Sequence, residues 1–311
     1  SIFSWNGAFP PEPSAWEKKF LGWVQPIIIS SGDTVYNFPA VTLTDSVDTI
    51  YQVLISAKEY FLVENRNRDA NRDSVKIKMV YNGESVEKSW ERDTTGFNAD
   101  RPDSLYGVIT DVDEFDWSLP GGVDSKTKVL YDGGLLIWHI DEVVIDANLE
   151  TNSVNADAKH RGVNLMEADG SQDIGQSYDL LQSGSGTENG WAFDFWFRGH
   201  SALLRKELNA FTPTSYPGSG SNSGANSHIY IGNSTSSDTT GLSYRGPIMK
   251  ARIKVGDDVV RPLAGFPKNL QRIFGSNSVC VADLNGDNQK DILVAGKTNG
   301  VVAGWQTNGT A

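Results

Sequence analysis

The chain has 311 residues and a formal net charge of −12, from 27 basic and 39 acidic residues. This balance argues against a nucleic-acid partner, because phosphate binding needs clustered Lys and Arg. The 39% hydrophobic and 10% aromatic content indicates a folded protein with a substantial core, and the length allows two domains.

The only cysteine is Cys280, so the chain has no internal disulfide. Its place in an apolar run predicts a buried side chain. The sequence has no run of about 18 apolar residues, so we expect no membrane span. It also starts without Met or a signal segment, and we expect it to belong to a longer or processed polypeptide.

The first predicted element is a short helix over residues 13–23. Ser14 and Glu17 have the spacing of a capping box. Trp16, Phe20 and Trp23 fall on roughly one face of this helix.

From about residue 27 to residue 255 the pattern is that of short strands, several with alternating apolar and polar residues. Strands without long intervening helices favour an antiparallel β-sandwich-like domain over a parallel sheet. Residues 134–140 are apolar on both faces, which predicts an internal strand. The predicted strands cover residues 49–55, 59–66, 74–82, 134–140, 162–169, 227–233 and 249–256.

A boundary is predicted at residues 261–270, where two prolines interrupt the pattern. Residues 262–311 then alternate strands with an acidic loop and a turn, which resembles one blade of a β-propeller. A single blade does not bury both of its faces. We therefore expect further chain or a partner to cover it, and we divide the chain into residues 1–26, 27–256 and 262–311.

The acidic loop of this last segment predicts a calcium site. Oxygen-bearing side chains alternate along it, and Gly286 permits a sharp turn. Carboxylates so close together repel one another without a cation. The alternative is a polar hairpin turn, because Asp, Asn and Gly also form turns. The predicted ligands are Asp283, Asn285, Asp287, Gln289 and Asp291.

Residues 282–305, "ADLNGDNQKDILVAGKTNGVVAGW", resemble the FG-GAP (integrin-α-like) calcium repeat of extracellular proteins. Four earlier phrases, "PSAWEKKFLGWVQP", "EYFLVENR", "GGLLIWHIDE" and "RGVNLMEADGSQDIG", together resemble secreted metallopeptidases of the immune inhibitor A type. In that family such phrases follow the zinc domain, so the resemblance implies that residues 1–26 end a protease domain and that residues 27–256 form its β-rich extension.

The family's zinc motif, H-E-x-x-H, is absent from this chain. Its four histidines are His139, His160, His200 and His228, and none has another three or four residues away. A catalytic zinc needs about three protein ligands and an open position. We therefore expect Zn²⁺ only in a catalytic domain outside this chain, with Ca²⁺ as the cofactor here.

Three further features are candidates for function. Glu167, Asp169 and Asp173 share one loop and are predicted as a second calcium site, with a capped turn as the alternative. His139 and Asp141 lie on the same side of a strand, as a metal or acid–base pair would, but we favour a structural hydrogen bond. Residues 191–200 cluster five aromatic side chains, which form either core or a surface that stacks on sugars.

These observations predict a non-catalytic, β-rich accessory portion of a secreted zinc metallopeptidase, located outside the cell or at its surface. It would support the protease domain and hold substrates or surfaces. Its expected partners are that upstream domain or further repeats, with an extracellular protein or a glycan left open. The alternatives are an extracellular adhesion or assembly protein and a carbohydrate-binding module.

Overall fold

The computed structural model describes residues 11–43, 49–90, 107–123, 128–176, 187–200, 210–233, 240–256, 279–283, 285–287, 291–295 and 302–306. The chain divides into two compact units, residues 1–256 and residues 257–311. None of the helices within the described ranges is long and apolar enough to cross a membrane.

The first helix, α1, spans Ala15–Phe20 and has the predicted capping box. The Ser14 hydroxyl accepts a hydrogen bond from the Glu17 amide, and the Glu17 carboxylate accepts one from the Ser14 amide. Trp16 and Phe20 stack with ring centroids 5.1 Å apart, as the helical period predicts. Trp23 lies beyond the helix end.

The strands of the first unit are short, and the helix α2 spans Glu142–Asn148 between the tenth and eleventh of them. A 3₁₀ helix covers Phe115–Ser118. The strands are β1 Ile27–Ile29, β2 Gly32–Pro39, β3 Tyr51–Leu54, β4 Glu59–Asn67, β5 Val75–Tyr81, β6 Glu84–Trp90, β7 Val108–Val112, β8 Gly122–Val123, β9 Leu130–Tyr131, β10 Gly133–Asp141, β11 Val163–Leu165, β12 Ala210–Phe211, β13 Ile229–Gly232 and β14 Ile248–Val255.

Two sheets of the first unit share one hydrophobic core. The first has the order β1-β3-β4-β10-β11, and the second has the order β12-β13-β14-β2. Phe61 of the first sheet meets Phe211 of the second edge-on, with ring centroids 5.0 Å apart. This confirms a mainly β, sandwich-like domain with a short helix, because the apolar faces of two sheets cover each other.

The strand pairing differs from the prediction at one place. β1 and β3 run parallel, from Ile27 opposite Tyr51 to Ile29 opposite Val53, whereas the other strand pairs of these two sheets are antiparallel. β2, which belongs to the second sheet, lies between β1 and β3 in the chain. The chain therefore returns to the first sheet in its original direction after crossing to the other sheet.

The predicted internal strand is confirmed. β10 lies between β4 and β11, and all nine of its residues are buried. It pairs with β4 along its whole length, from Gly133 opposite Asn67 to Asp141 opposite Glu59. β10 therefore brings His139 and Asp141, at its C-terminal end, to fixed positions on the sheet.

A smaller sheet of order β6-β5-β7 packs around a second core, formed by Val75, Ile77 and Trp117. β8 and β9 pair as a two-stranded ribbon.

The second unit contains three antiparallel strands in the order β15-β16-β17: β15 Val279–Ala282, β16 Asp291–Ala295 and β17 Val302–Trp305. Cys280 of β15 is exposed, which corrects the prediction of a buried side chain. In a strand, alternate residues face opposite sides, so an apolar run does not by itself place each residue inside.

Candidate metal and polar sites

An acidic cluster lies beside the first sheet. Glu167 and Asp169 follow β11, and Asp194 comes from the segment before Trp196. One carboxylate oxygen of each lies within 4.8 Å of the others. The Ala168 amide donates to the Asp194 carbonyl at 3.0 Å, so the backbone itself joins the two segments.

Hydrogen bonds hold Glu167 and Asp169 in the loop. Glu167 accepts from the amides of Asp173 and Ile174, at 2.9 and 3.0 Å. Asp169 accepts from the amide and the hydroxyl of Ser171. This pattern includes the capped turn that the sequence offers as an alternative, and it orients both carboxylates.

Asp194 is the member that sequence reasoning missed. Its side chain is fully buried, and its Oδ2 accepts from the Trp191 amide. Its Oδ1 is buried and has no hydrogen-bond partner among the residues that the structure describes. Burial raises the pKa of Asp194 to about 9, and the Asp169 and Glu167 carboxylates add to this. An acidic residue among four aromatics was the only signal in the sequence.

Asp173 is not one of the three residues whose oxygens converge. Its carboxylate accepts from the Thr187 hydroxyl, at 3.3 and 3.1 Å for its two oxygens. Its charge still helps to raise the pKa of Glu167, after the larger effect of burial. The structure thus brings together two of the three predicted ligands, Glu167 and Asp169, and adds Asp194.

The predicted loop of the second unit is described only in part. Asp283, Asn285, Asp287 and Asp291 lie in the described ranges, whereas Gln289 lies outside them. Gly286 has a φ of +76°, and its amide donates to Asp283 Oδ1 at 2.7 Å. A hairpin turn and a calcium loop both accommodate these contacts, so the calcium site stays a prediction.

A second acidic group joins Asp69, Asp73 and Glu114. Glu114 accepts from the amide and side chain of Asn71, and burial raises its pKa to about 7. Lys76 already pairs with the exposed carboxylate of Asp73. This group therefore has a cation from the protein itself.

His139 and Asp141 form separate contacts at the end of β10. His139 Nε2 lies 2.9 Å from Glu59 Oε1, and His160 Nε2 lies 3.0 Å from Asp141 Oδ2. Asp141 Oδ1 accepts from the backbone amides of Val143 and Val144, so Asp141 is the N-cap of α2. Both residues are thus hydrogen-bonded, as the favoured interpretation predicts, and they are not paired with each other.

Asn222 connects these two carboxylates. Its backbone amide donates to Glu59 Oε1 at 2.6 Å, and its side-chain nitrogen Nδ2 donates to Asp141 Oδ2 at 2.8 Å. Burial alone would raise the pKa of Glu59, but hydrogen bonds from His139 and Asn222 hold it below its usual value. Hydrogen bonds from Asn222 and His160 likewise outweigh burial and lower the pKa of Asp141.

We expect this arrangement to lose stability in acid. A carboxylate whose pKa is lowered by folding stabilises the protein above its unfolded pKa of about 4, and this contribution disappears as the pH falls through the folded pKa. Asn222→Ala should therefore shrink the difference between the urea midpoints at pH 7 and pH 3. The exposed Asn37→Ala is the control; an equal pH response of wild type and Asn222→Ala would contradict the assignment.

The aromatic residues 191–200 are mostly core. Phe195, Trp196 and Phe197 are buried, and Phe211 of β12 contacts Trp196 with ring centroids 5.6 Å apart. Trp191 is 42% exposed. The favoured interpretation of this segment as core is confirmed for its central residues.

Residues 20–28 carry a group of exposed apolar side chains. The exposed fraction is 57% for Phe20 and 68% for Trp23, and it is 62% for Ile28 of the edge strand β1. Leu21 and Ile27 are exposed as well. Large exposed apolar side chains in close sequence mark a surface that suits a protein partner.

Comparison of the chain with protein-family models, with curated proteins and with solved structures finds no match.

Proposed function

We propose that this chain is a non-catalytic accessory portion of a secreted zinc metallopeptidase of the immune inhibitor A type, with a calcium-stabilised terminal repeat. Its role is to support the protease domain outside the cell. The four phrases between residues 13 and 175 that resemble this family are the basis for the proposed parent protein.

The observation that carries the supporting role is the exposed apolar surface of residues 20–28. More than half of the surface of each of three residues, Phe20, Trp23 and Ile28, is exposed. Among the described strands, Ile28 lies on an edge strand of its sheet, and sheet edges are places where a further chain can pair. The family resemblance implies that residues 1–26 are the end of the protease domain, so we assign the remainder of that domain as the occupant of the surface.

The character of the acidic groups supports a role for hard cations. Within the described ranges, both groups of three potential metal ligands consist of carboxylates, and neither includes a histidine. Oxygen-only ligands favour Ca²⁺, whereas a catalytic zinc typically uses histidine nitrogen.

The test begins with the polypeptide that the gene encodes. An H-E-x-x-H helix before residue 1 supports the proposal; a signal peptide directly before residue 1 contradicts it and favours the adhesion protein.

In the full polypeptide, Trp23→Ser with Ile28→Ser should lower the temperature at which protease activity is lost. Val108→Ser, which changes a 71% exposed residue elsewhere, should leave it unchanged.

The isolated chain should not hydrolyse casein, even with added zinc. The reason is that the H-E-x-x-H motif is absent from its sequence. The assay compares purified chain with and without a chelator. Chelator-sensitive cleavage by pure material would contradict the non-catalytic role.

Calcium should raise the melting temperature of the second unit. An ion that binds only the folded loop stabilises it by about 2.7 kcal/mol when calcium is at 100 times its dissociation constant. Asp283→Asn with Asp287→Asn should remove this shift, since both carboxylates lie in the predicted loop. Identical melting curves of this unit in chelator and in millimolar calcium would contradict the prediction.

A further inference from the structure

The geometry of Glu167, Asp169 and Asp194 fits a single cation. Their oxygens lie within 4.8 Å of one another. Ca²⁺ binds oxygen at about 2.3–2.6 Å, so two ligands on opposite sides of one ion are separated by about 4.6–5.2 Å. The three oxygens are thus at the spacing that one shared ion would produce.

A second observation points to the same ligand. Asp194 Oδ1 belongs to a fully buried side chain and has no hydrogen-bond partner in the described part of the chain. Leaving such an oxygen unpaired is costly. Within the described ranges, no Lys, Arg or His forms an ion pair with any of the three carboxylates. The counter-charge that the cluster lacks is therefore one that a bound ion would supply.

We propose that Glu167, Asp169 and Asp194 form a calcium site in the first unit, independent of the loop at residues 283–291. The ligand class follows from the donors, which are all carboxylate oxygens with neither histidine nor cysteine among them. The site stands without the proposed parent protease, because it uses only contacts within this unit.

The bound ion stabilises the sheet by joining two segments. The segment after β11 supplies Glu167 and Asp169, and the other segment supplies Asp194. Trp196 of that second segment exchanges backbone hydrogen bonds with Leu135 of β10, at 3.0 and 2.8 Å, and its indole donates to the Met166 carbonyl at 2.8 Å. Cation binding therefore holds residues 191–196 against the first sheet.

The experiment uses the full chain with Asp283→Asn and Asp287→Asn, which disable the predicted terminal loop. Terbium is the probe, because excited tryptophan sensitises the emission of a nearby Tb³⁺. Trp191 is close to the proposed site, since its backbone amide donates a hydrogen bond to Asp194. We expect this background protein to bind one Tb³⁺ that Ca²⁺ displaces, and to melt higher in calcium. A background protein with neither response would overturn the proposal.

Adding Asp194→Asn to that background should abolish the emission and the calcium-dependent shift. In chelator, this variant should be about as stable as the background, because the amide has nearly the same shape and still offers an oxygen to the Trp191 backbone amide. The matched control is Asp146→Asn, whose carboxylate is 63% exposed and pairs with Lys58. It should retain both responses, and an unchanged calcium response of Asp194→Asn would overturn the proposal.

Two further variants keep the test decisive if Asp194→Asn does not fold. Asp169→Asn changes a partly exposed ligand and should weaken calcium binding at least tenfold without altering the melt in chelator. Asp173→Asn should retain calcium binding, because its carboxylate contacts Thr187 instead. Loss of binding in Asp173→Asn but not in Asp169→Asn would overturn the ligand set.

Discussion

Asp116→Ala is expected to lower the free energy of unfolding by about 3–5 kcal/mol, because it leaves the buried guanidinium of Arg66 without its main partner. Arg66 Nε donates to Asp116 Oδ2 at 2.7 Å, and a second nitrogen donates to Asp116 Oδ1. Arg66 is 2% exposed and Asp116 is fully buried. Urea unfolding monitored by tryptophan fluorescence measures the loss.

The control for this prediction is an ion pair of the same chemistry near the surface. Arg252 binds Asp33 through two nitrogens at 2.6 Å each, and the two side chains are 35% and 33% exposed. Asp33→Ala should cost about 0–1 kcal/mol, since water screens this pair. Equal losses for Asp116→Ala and Asp33→Ala would show that burial does not govern the first pair.

The Arg66 network also explains how α1 is attached. Arg66 donates to the Glu12 carbonyl at 2.7 Å, and its neighbour along the strand face, Glu64, accepts from the Ala15 amide at 3.2 Å. Trp138 of β10 donates to the same Glu64 oxygen at 2.8 Å. Asp116→Ala should therefore disturb the contacts that hold the chain just before α1, not only the 3₁₀ helix that carries Asp116.

Gly133→Ala is expected to cost about 2–5 kcal/mol, made up of a conformational cost of about 1–2 kcal/mol and an overpacking cost of about 1–3 kcal/mol. Gly133 has a φ of +127°, and a Cβ there would lie 2.1 Å from the Arg66 carbonyl oxygen. That oxygen belongs to the backbone of β4, so the two paired strands would have to separate.

Gly32→Ala is the matched control, because it shares the conformational cost without the clash. Gly32 has a φ of +107°, and a Cβ there would meet no atom of the described residues within 4 Å. The difference between the two free energies of unfolding isolates the contact with β4. If Gly32→Ala were as damaging as Gly133→Ala, the close approach of β10 and β4 would not be the cause.

Local patterns in the sequence were enough to predict the first helix and seven of the fourteen strands that the structure describes in the first unit. Strand alternation and the Ser14–Glu17 capping box are interactions between near neighbours, so their signal lies within a few residues. The run at residues 134–140 also predicted an internal strand correctly, because only a strand covered on both faces tolerates apolar residues at every position. The parallel pairing of β1 with β3 depends on the crossover of β2, which no local pattern contains.

The candidate cation site shows the same division. Sequence alone brought attention to Glu167 and Asp169, since neighbours on one loop are close in any fold. Asp194 joins them only because Trp196 pairs with Leu135 and Ala168 donates to the Asp194 carbonyl. Asp141 likewise proves to be a helix cap, bonded to His160 and to Asn222 of a distant loop. The sequence by itself determined the first helix, the internal strand and the acidic composition. Long-range packing decided which carboxylates meet, because it alone brings distant segments together and excludes water around them.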